Sequence, residues 1–237
     1  MPAKKPKSPP EPSTSVVLAD SLKAVVEGLT GVAASSRSDL ALSIGHAFQR
    51  MRGGEFLSQL MKEWNQFRDK GRVKDDYQKT EQHKVCLQEL FDFLSKDSPD
   101  EVRFSVLKKI LLVAASETKS TRESLAPQQY MRIGRQLSDG EVLVLFACYR
   151  ALEDQSDTAW RTEQNVSAGV WVKRIAAISG LEHPELVEIH EMTLEEKRLI
   201  NRRLHGDRSG VQLKSNYRLT SLGLKFCEYV ASYDEDT

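Results

Sequence analysis

Seven consecutive apolar residues, Val142-Leu143-Val144-Leu145-Phe146-Ala147-Cys148, follow directly on Ser138-Asp139-Gly140-Glu141. The Ser-x-x-Glu spacing is that of a capping box, in which the serine hydroxyl and the glutamate carboxylate each accept from a backbone amide left unbonded at a helix start. The run behind it is apolar all round, so a helix built from it has no side suited to water and belongs inside. A central helix is expected, with other elements wrapped around it.

Those other elements read as helices. Leu40, Ile44, Ala47, Phe48 and Met51 recur three and four residues apart, and Phe56, Leu57, Leu60, Trp64 and Phe67 resume that period after Gly53-Gly54, which predicts two helices broken at the glycine pair. A shorter helix is expected within residues 16–31, and Val85, Leu87, Leu90, Phe91 and Leu94 fit another face. Ser98-Pro99-Asp100-Glu101 is a helix start: a capping hydroxyl, a proline suited to the first turn, and two acids against the positive end of the dipole. It predicts a helix from about Pro99 to Ser116, followed by a short one from Pro127 to Arg135.

In the last third, Val170, Trp171, Val172, Ile175 and Ile178 share a helical face that Gly180 closes. His183-Pro184 opens the next helix, and Thr193-x-x-Glu196 reads as a second capping box, so this element is expected over 184–204 with a break near Met192-Thr193. Val211-Gln212-Leu213 and Tyr217-Arg218-Leu219 then frame a small β-hairpin, and Thr220-Ser221 caps a final helix to about residue 231.

The resulting order is helix 139–153, helix 168–179, helix 184–204, hairpin 211–219 and closing helix 221–231. With Tyr217-Arg218-Leu219-Thr220-Ser221-Leu222-Gly223 matching a Y-x-L-T-x-x-G ending, residues 137–232 resemble a winged-helix domain. The broken third helix departs from that pattern. A second resemblance, over residues 88–152, is to the abortive-infection alpha family of bacterial proteins, through the acidic start at Asp97–Glu101, the apolar helix after it and Gln136-Leu137-Ser138-Asp139-Gly140-Glu141-Val142-Leu143. It implies a bacterial protein with a role in phage defence. The fold class is accordingly mainly α, divided into a Pro/Lys tail (1–15), a helical domain (16–135) and a winged-helix-like domain with a small β-hairpin (136–237).

Charge decides which partners to expect. Lys plus Arg and Asp plus Glu both total 34, so no global field favours nucleic acid, and any such binding has to come from local clustering. One cluster exists: Lys197–Lys225 holds eight basic residues against the single acid Asp207. Beside a wing, such a stripe is what phosphate-backbone binding uses, and Arg198, Arg202, Arg203, Arg208, Lys214 and Arg218 are the candidate contacts to duplex DNA. The alternative reading is a solvated face balancing the six glutamates between Glu182 and Glu196, which makes a protein-interaction or homo-oligomerising module.

Chemistry beyond binding has little to build on. His183, His190 and Glu191 are too widely spaced for one ion, Cys86, Cys148 and Cys227 sit in apolar patterns as reduced core thiols, and neither glycine-rich stretch has the spacing of a phosphate loop. Trp64 and Trp171 fall on core faces, whereas Trp160 stands in a polar loop and could mark a partner site. No apolar run approaches the ~18 residues of a membrane span, and the lysine-rich start lacks a signal peptide's apolar stretch. The expectation is a non-enzymatic, cytoplasmic binding or regulatory protein without cofactor, metal, small-molecule ligand or membrane partner.

Overall fold

The computed structural model describes residues 51–74, 77–96, 99–116, 125–153, 168–201 and 218–235. The tail, the helices expected before residue 51, the Trp160 loop and most of the hairpin lie outside the described residues. Within them the chain is mainly helical: α1 (Met51–Asp69), a 3-10 turn (Tyr77–Lys79), α2 (Glu81–Lys96), α3 (Glu101–Ser116), α4 (Leu125–Gln136), α5 (Asp139–Glu153), α6 (Ala168–Ser179), α7 (Pro184–Glu196) and α8 (Ser221–Glu235).

The capping box forms as read. The Glu141 amide donates to Ser138 Oγ at 3.3 Å and the Ser138 amide donates to Glu141 Oε2 at 3.0 Å. Behind it α5 is buried at Val142, Val144, Leu145, Ala147 and Cys148 and touches α3, α6, α7 and α8. It shares the centre with α3, whose Phe104, Leu107, Ile110, Leu111, Leu112 and Ala115 are buried around the whole circumference, and which meets α1, α2, α4, α5 and α8. One apolar cluster of buried residues runs from Leu57 of α1 to Val230 of α8.

Three local expectations change. Gly53-Gly54 lies within α1 instead of breaking it. Glycine costs a helix about 1 kcal/mol per residue, whereas fully burying side chains such as Leu57, Leu60 and Trp64 returns about 1.5–3 kcal/mol each. At α3 the cap is Asp100, whose Oδ1 accepts from the Arg103 amide at 2.8 Å, so the helix starts two residues after Pro99.

The third correction concerns α7, which is unbroken from Pro184 to Glu196 and ends there. Thr193 does not cap a new helix; its hydroxyl donates back to the Ile189 carbonyl at 3.4 Å. The chain leaves α7 through a Schellman turn: Leu199 N–H bonds Leu194 O and Arg198 N–H bonds Glu195 O, both at 2.9 Å. Arg198 takes the left-handed position, φ 57°, usually given to glycine. Just beyond this turn Leu199 and Ile200 are both buried in the core.

Buried polar groups tie the layers together. Lys108 of α3 donates to Glu63 Oε1 of α1 at 2.6 Å, and Tyr233 of α8 donates to Glu63 Oε2 at 2.9 Å. His83 of α2 lies between the rings of Trp64 and Tyr77, with centroids 5.3 and 4.8 Å away.

Candidate docking face on helix α7

The segment after α7 is closed at its base. Ile200 and Leu219 form an isolated antiparallel bridge, flanked by Asn201 N–H to Arg218 O at 2.6 Å and Thr220 N–H to Leu199 O at 3.1 Å. This pairing accounts for the Leu219-Thr220-x-x-Gly223 signature. Thr220 Oγ1 donates towards Arg198 O (2.8 Å) and Leu199 O (3.1 Å) and accepts from the Gly223 amide (3.0 Å), capping α8 while holding it to the exit of α7. Gly223 packs directly on the Leu199 carbonyl, where there is no room for a side chain.

The candidate cations separate. Arg202, Arg203, Arg208 and Lys214 lie outside the described residues. Arg198 is exposed at the Schellman turn. Arg218, expected as a wing contact, is instead buried, only 4% exposed, between two carboxylates of α7: its Nη2 is 3.0 Å from Glu191 Oε1 and its Nη1 3.2 Å from Glu195 Oε1. Nη1 also donates to the Asn201 carbonyl. Glu191 accepts in addition from Trp171 Nε1 at 2.6 Å, so one buried network joins α6, α7 and the strand-like exit. A buried carboxylate requires such partners, and Arg218 and Trp171 supply them. Lys197 is likewise engaged, donating to Gln136 O at 2.9 Å and to Glu141 of the α5 capping box.

With Glu191 committed inward, the histidines near it have no shared site. His183 sits at the N-cap of α7 without a side-chain cap bond, and His190 lies half-buried against Gly140. Among the described residues no three His, Cys, Asp or Glu side chains gather as a metal ion would require. Cys86, Cys148 and Cys227 are buried free thiols. Burial pushes the Cys86 thiol up to about 12, against a lowering hydrogen bond with Tyr77 and with a small further rise from the Glu89 charge. An open groove of about 360 Å³ between α3, α5, α6 and α8 is lined by Val142, Phe146 and Val230 together with Glu101, Lys109 and Arg150, and Lys109 lies over the Tyr233 ring.

The feature that stands out is the outer face of α7. Its inner face buries Val187, Glu191 and Leu194, while Leu186, Ile189 and Met192 point away from the core, 37%, 57% and 65% exposed. Glu185 lies four residues before Ile189 and Glu196 four after Met192, so exposed carboxylates close both ends of the apolar stripe. No Lys or Arg occurs between Pro184 and Glu196.

The chain matches no protein-family model, no curated protein and no solved structure. The arrangement therefore has to be read from its own chemistry. No described helix is long and apolar enough to cross a membrane. The helix expected over 184–204 came without an assignment of its faces, because apolar residues occur on both sides of α7. The available signal was spacing: Leu186, Ile189 and Met192 lie opposite Val187, Glu191 and Leu194 on a helical wheel.

Proposed function

We propose that this chain is a non-catalytic binding protein that docks a protein partner on the outer face of α7. The observation that carries this reading is the exposed stripe Leu186, Ile189 and Met192 on a helix with no basic residue. Apolar side chains presented together on a helix mark an interaction surface, and flanking carboxylates oppose a nucleic-acid phosphate. The order α5, α6, α7, paired residues Ile200 and Leu219, then α8 supports a winged-helix-like C-terminal part. In that reading α7 is the element that would enter a groove, and its acidic, apolar surface favours protein over DNA.

The test is site-specific photo-crosslinking in the native host from a photoreactive residue at position 189, compared with one at Leu125, an equally exposed apolar position on α4. A defined protein adduct from position 189 alone is the expected result. Adducts no different from those at position 125 would overturn the reading.

A second reading keeps duplex DNA as the partner of the basic stretch after α7. It is favoured by the exposure of Arg198 and Lys225 and by the pairing that joins the two ends of residues 202–217. Fluorescence anisotropy of labelled duplex with the full chain, at low and near-physiological salt, checks it: binding that weakens linearly in log salt and is lost on Arg198→Glu with Arg202→Glu and Arg203→Glu supports it.

A further inference from the structure

Resting on the docking role given to α7, we infer that its occupant is a cationic amphipathic helix of another protein, seated with its apolar side chains on Leu186, Ile189 and Met192 and its Lys or Arg side chains towards Glu182, Glu185 and Glu196. Geometry, charge and symmetry each favour such an occupant.

From Leu186 to Met192 the stripe extends about 9 Å at a rise of about 1.5 Å per residue, close to the roughly 10.5 Å between the i and i+7 anchors of a helix lying alongside. The backbone of α7 is internally bonded, so it offers side chains alone and no edge to which a strand could be added.

Glu182, Glu185, Glu188 and Glu196 are all exposed along this face, and of the two cations nearest in sequence on the C-terminal side, half-buried Lys197 is paired with Glu141 while Arg198 is exposed. A partner whose rim is basic gains from these carboxylates, and one whose rim is acidic is repelled. Anionic lipid and nucleic-acid phosphate fall in the repelled class.

A second copy of the chain fits this face less well. A two-fold contact requires the same patch on both sides. Antiparallel pairing of two α7 helices on their apolar stripes would bring Glu182 and Glu185 of each copy towards Glu196 of the other, placing like charges at both ends of the contact.

The experiment uses the full chain and two synthetic, fluorescein-labelled amphipathic peptides of about 18 residues, identical in their leucine face and differing only in carrying Lys or Glu along its rim. Anisotropy titrations at low and near-physiological salt are expected to show the Lys peptide bound at least about tenfold more tightly than the Glu peptide, a difference of about 1.4 kcal/mol. Glu185→Lys with Glu196→Lys reverses the preference. Ile189→Ser with Met192→Ser weakens the Lys peptide at least tenfold while the thermal melt stays unchanged.

Equal affinity for both peptides, binding of neither, or a preference unaltered by the charge reversal would overturn the cationic partner. If the serine pair still abolishes binding in that case, docking on α7 itself survives. Peptide binding indifferent to the serine pair would overturn both. A concentration-dependent dimer in sedimentation, dissolved by the serine pair, would identify a second copy as the occupant and overturn the inference.

Discussion

A side chain placed on Gly223 would put its Cβ 2.0 Å from the carbonyl oxygen of Leu199. The neighbour is backbone, already bonded to the Thr220 amide and hydroxyl, so it cannot swing aside. Gly223→Ala is therefore expected to destabilise the fold by about 3 kcal/mol or more, at the upper end of overpacking effects. Thr220→Ala, which removes the α8 cap, should cost about 1–2 kcal/mol. Urea denaturation of the two variants checks the order.

Gly140 offers a contrasting case. Its Cβ would meet the imidazole of His190 at 2.1 Å, and that ring is half-buried and able to turn. Gly140→Ala should destabilise by about 1–2 kcal/mol, and most of the loss should vanish in Gly140→Ala combined with His190→Ala. A double-mutant cycle reads this coupling; additive effects would show that the two residues do not compete for the same space.

Arg198 and Arg218 should part company. Arg218→Met leaves Glu191 buried with its cation removed, which costs about 3–5 kcal/mol for broken buried pairs. Arg198→Ala removes an exposed side chain and should stay within about 0.5 kcal/mol, with a small gain for Arg198→Gly, since glycine adopts φ 57° without strain. Thermal melts of the three variants distinguish these outcomes.

Cys86 gives a pH signature. Its folded value of about 12 lies above the ordinary 9.0, so the native state holds a proton that the unfolded state has lost. Stability is then unaffected below about pH 9 and falls as pH rises from there towards 12, by about 1.4 kcal/mol per unit from this group. Denaturation midpoints at several alkaline pH values should show a steeper decline for wild type than for Cys86→Ala. At pH 8 the native thiol should also resist iodoacetamide and react once the chain is unfolded.

The two faces of α7 predict opposite consequences for similar truncations. Val187→Ala opens space in the core and should cost about 1–3 kcal/mol, whereas Ile189→Ala should change stability by less than about 0.5 kcal/mol. Chemical denaturation of both variants measures which face is buried.

Much of the helical fold was legible in the residues because its signals are local. The Ser138–Glu141 box, the apolar run of α5, the spacing of Leu57, Leu60, Trp64 and Phe67, and Gly180 at φ 75° each describe interactions within a few residues of chain, and these formed as read. So did the burial of all three cysteines, which follows from apolar surroundings on a single face.

The tertiary structure alone decided where local signals competed. Thr193-x-x-Glu196 has the form of a cap, yet α7 runs through it, because a cap is needed only where the amides of a first turn lack carbonyls one turn earlier, and within α7 they have them. Arg218 carries the same charge as Arg198, and nothing in their neighbours along the chain says that one is enclosed by Glu191 and Glu195 of a helix some 25 residues earlier while the other reaches solvent. The outer stripe of α7 could be named as a face only once α5 and α6 had claimed the other. Periodicity fixes which residues share a side of a helix; burial of that side depends on packing against distant parts of the chain.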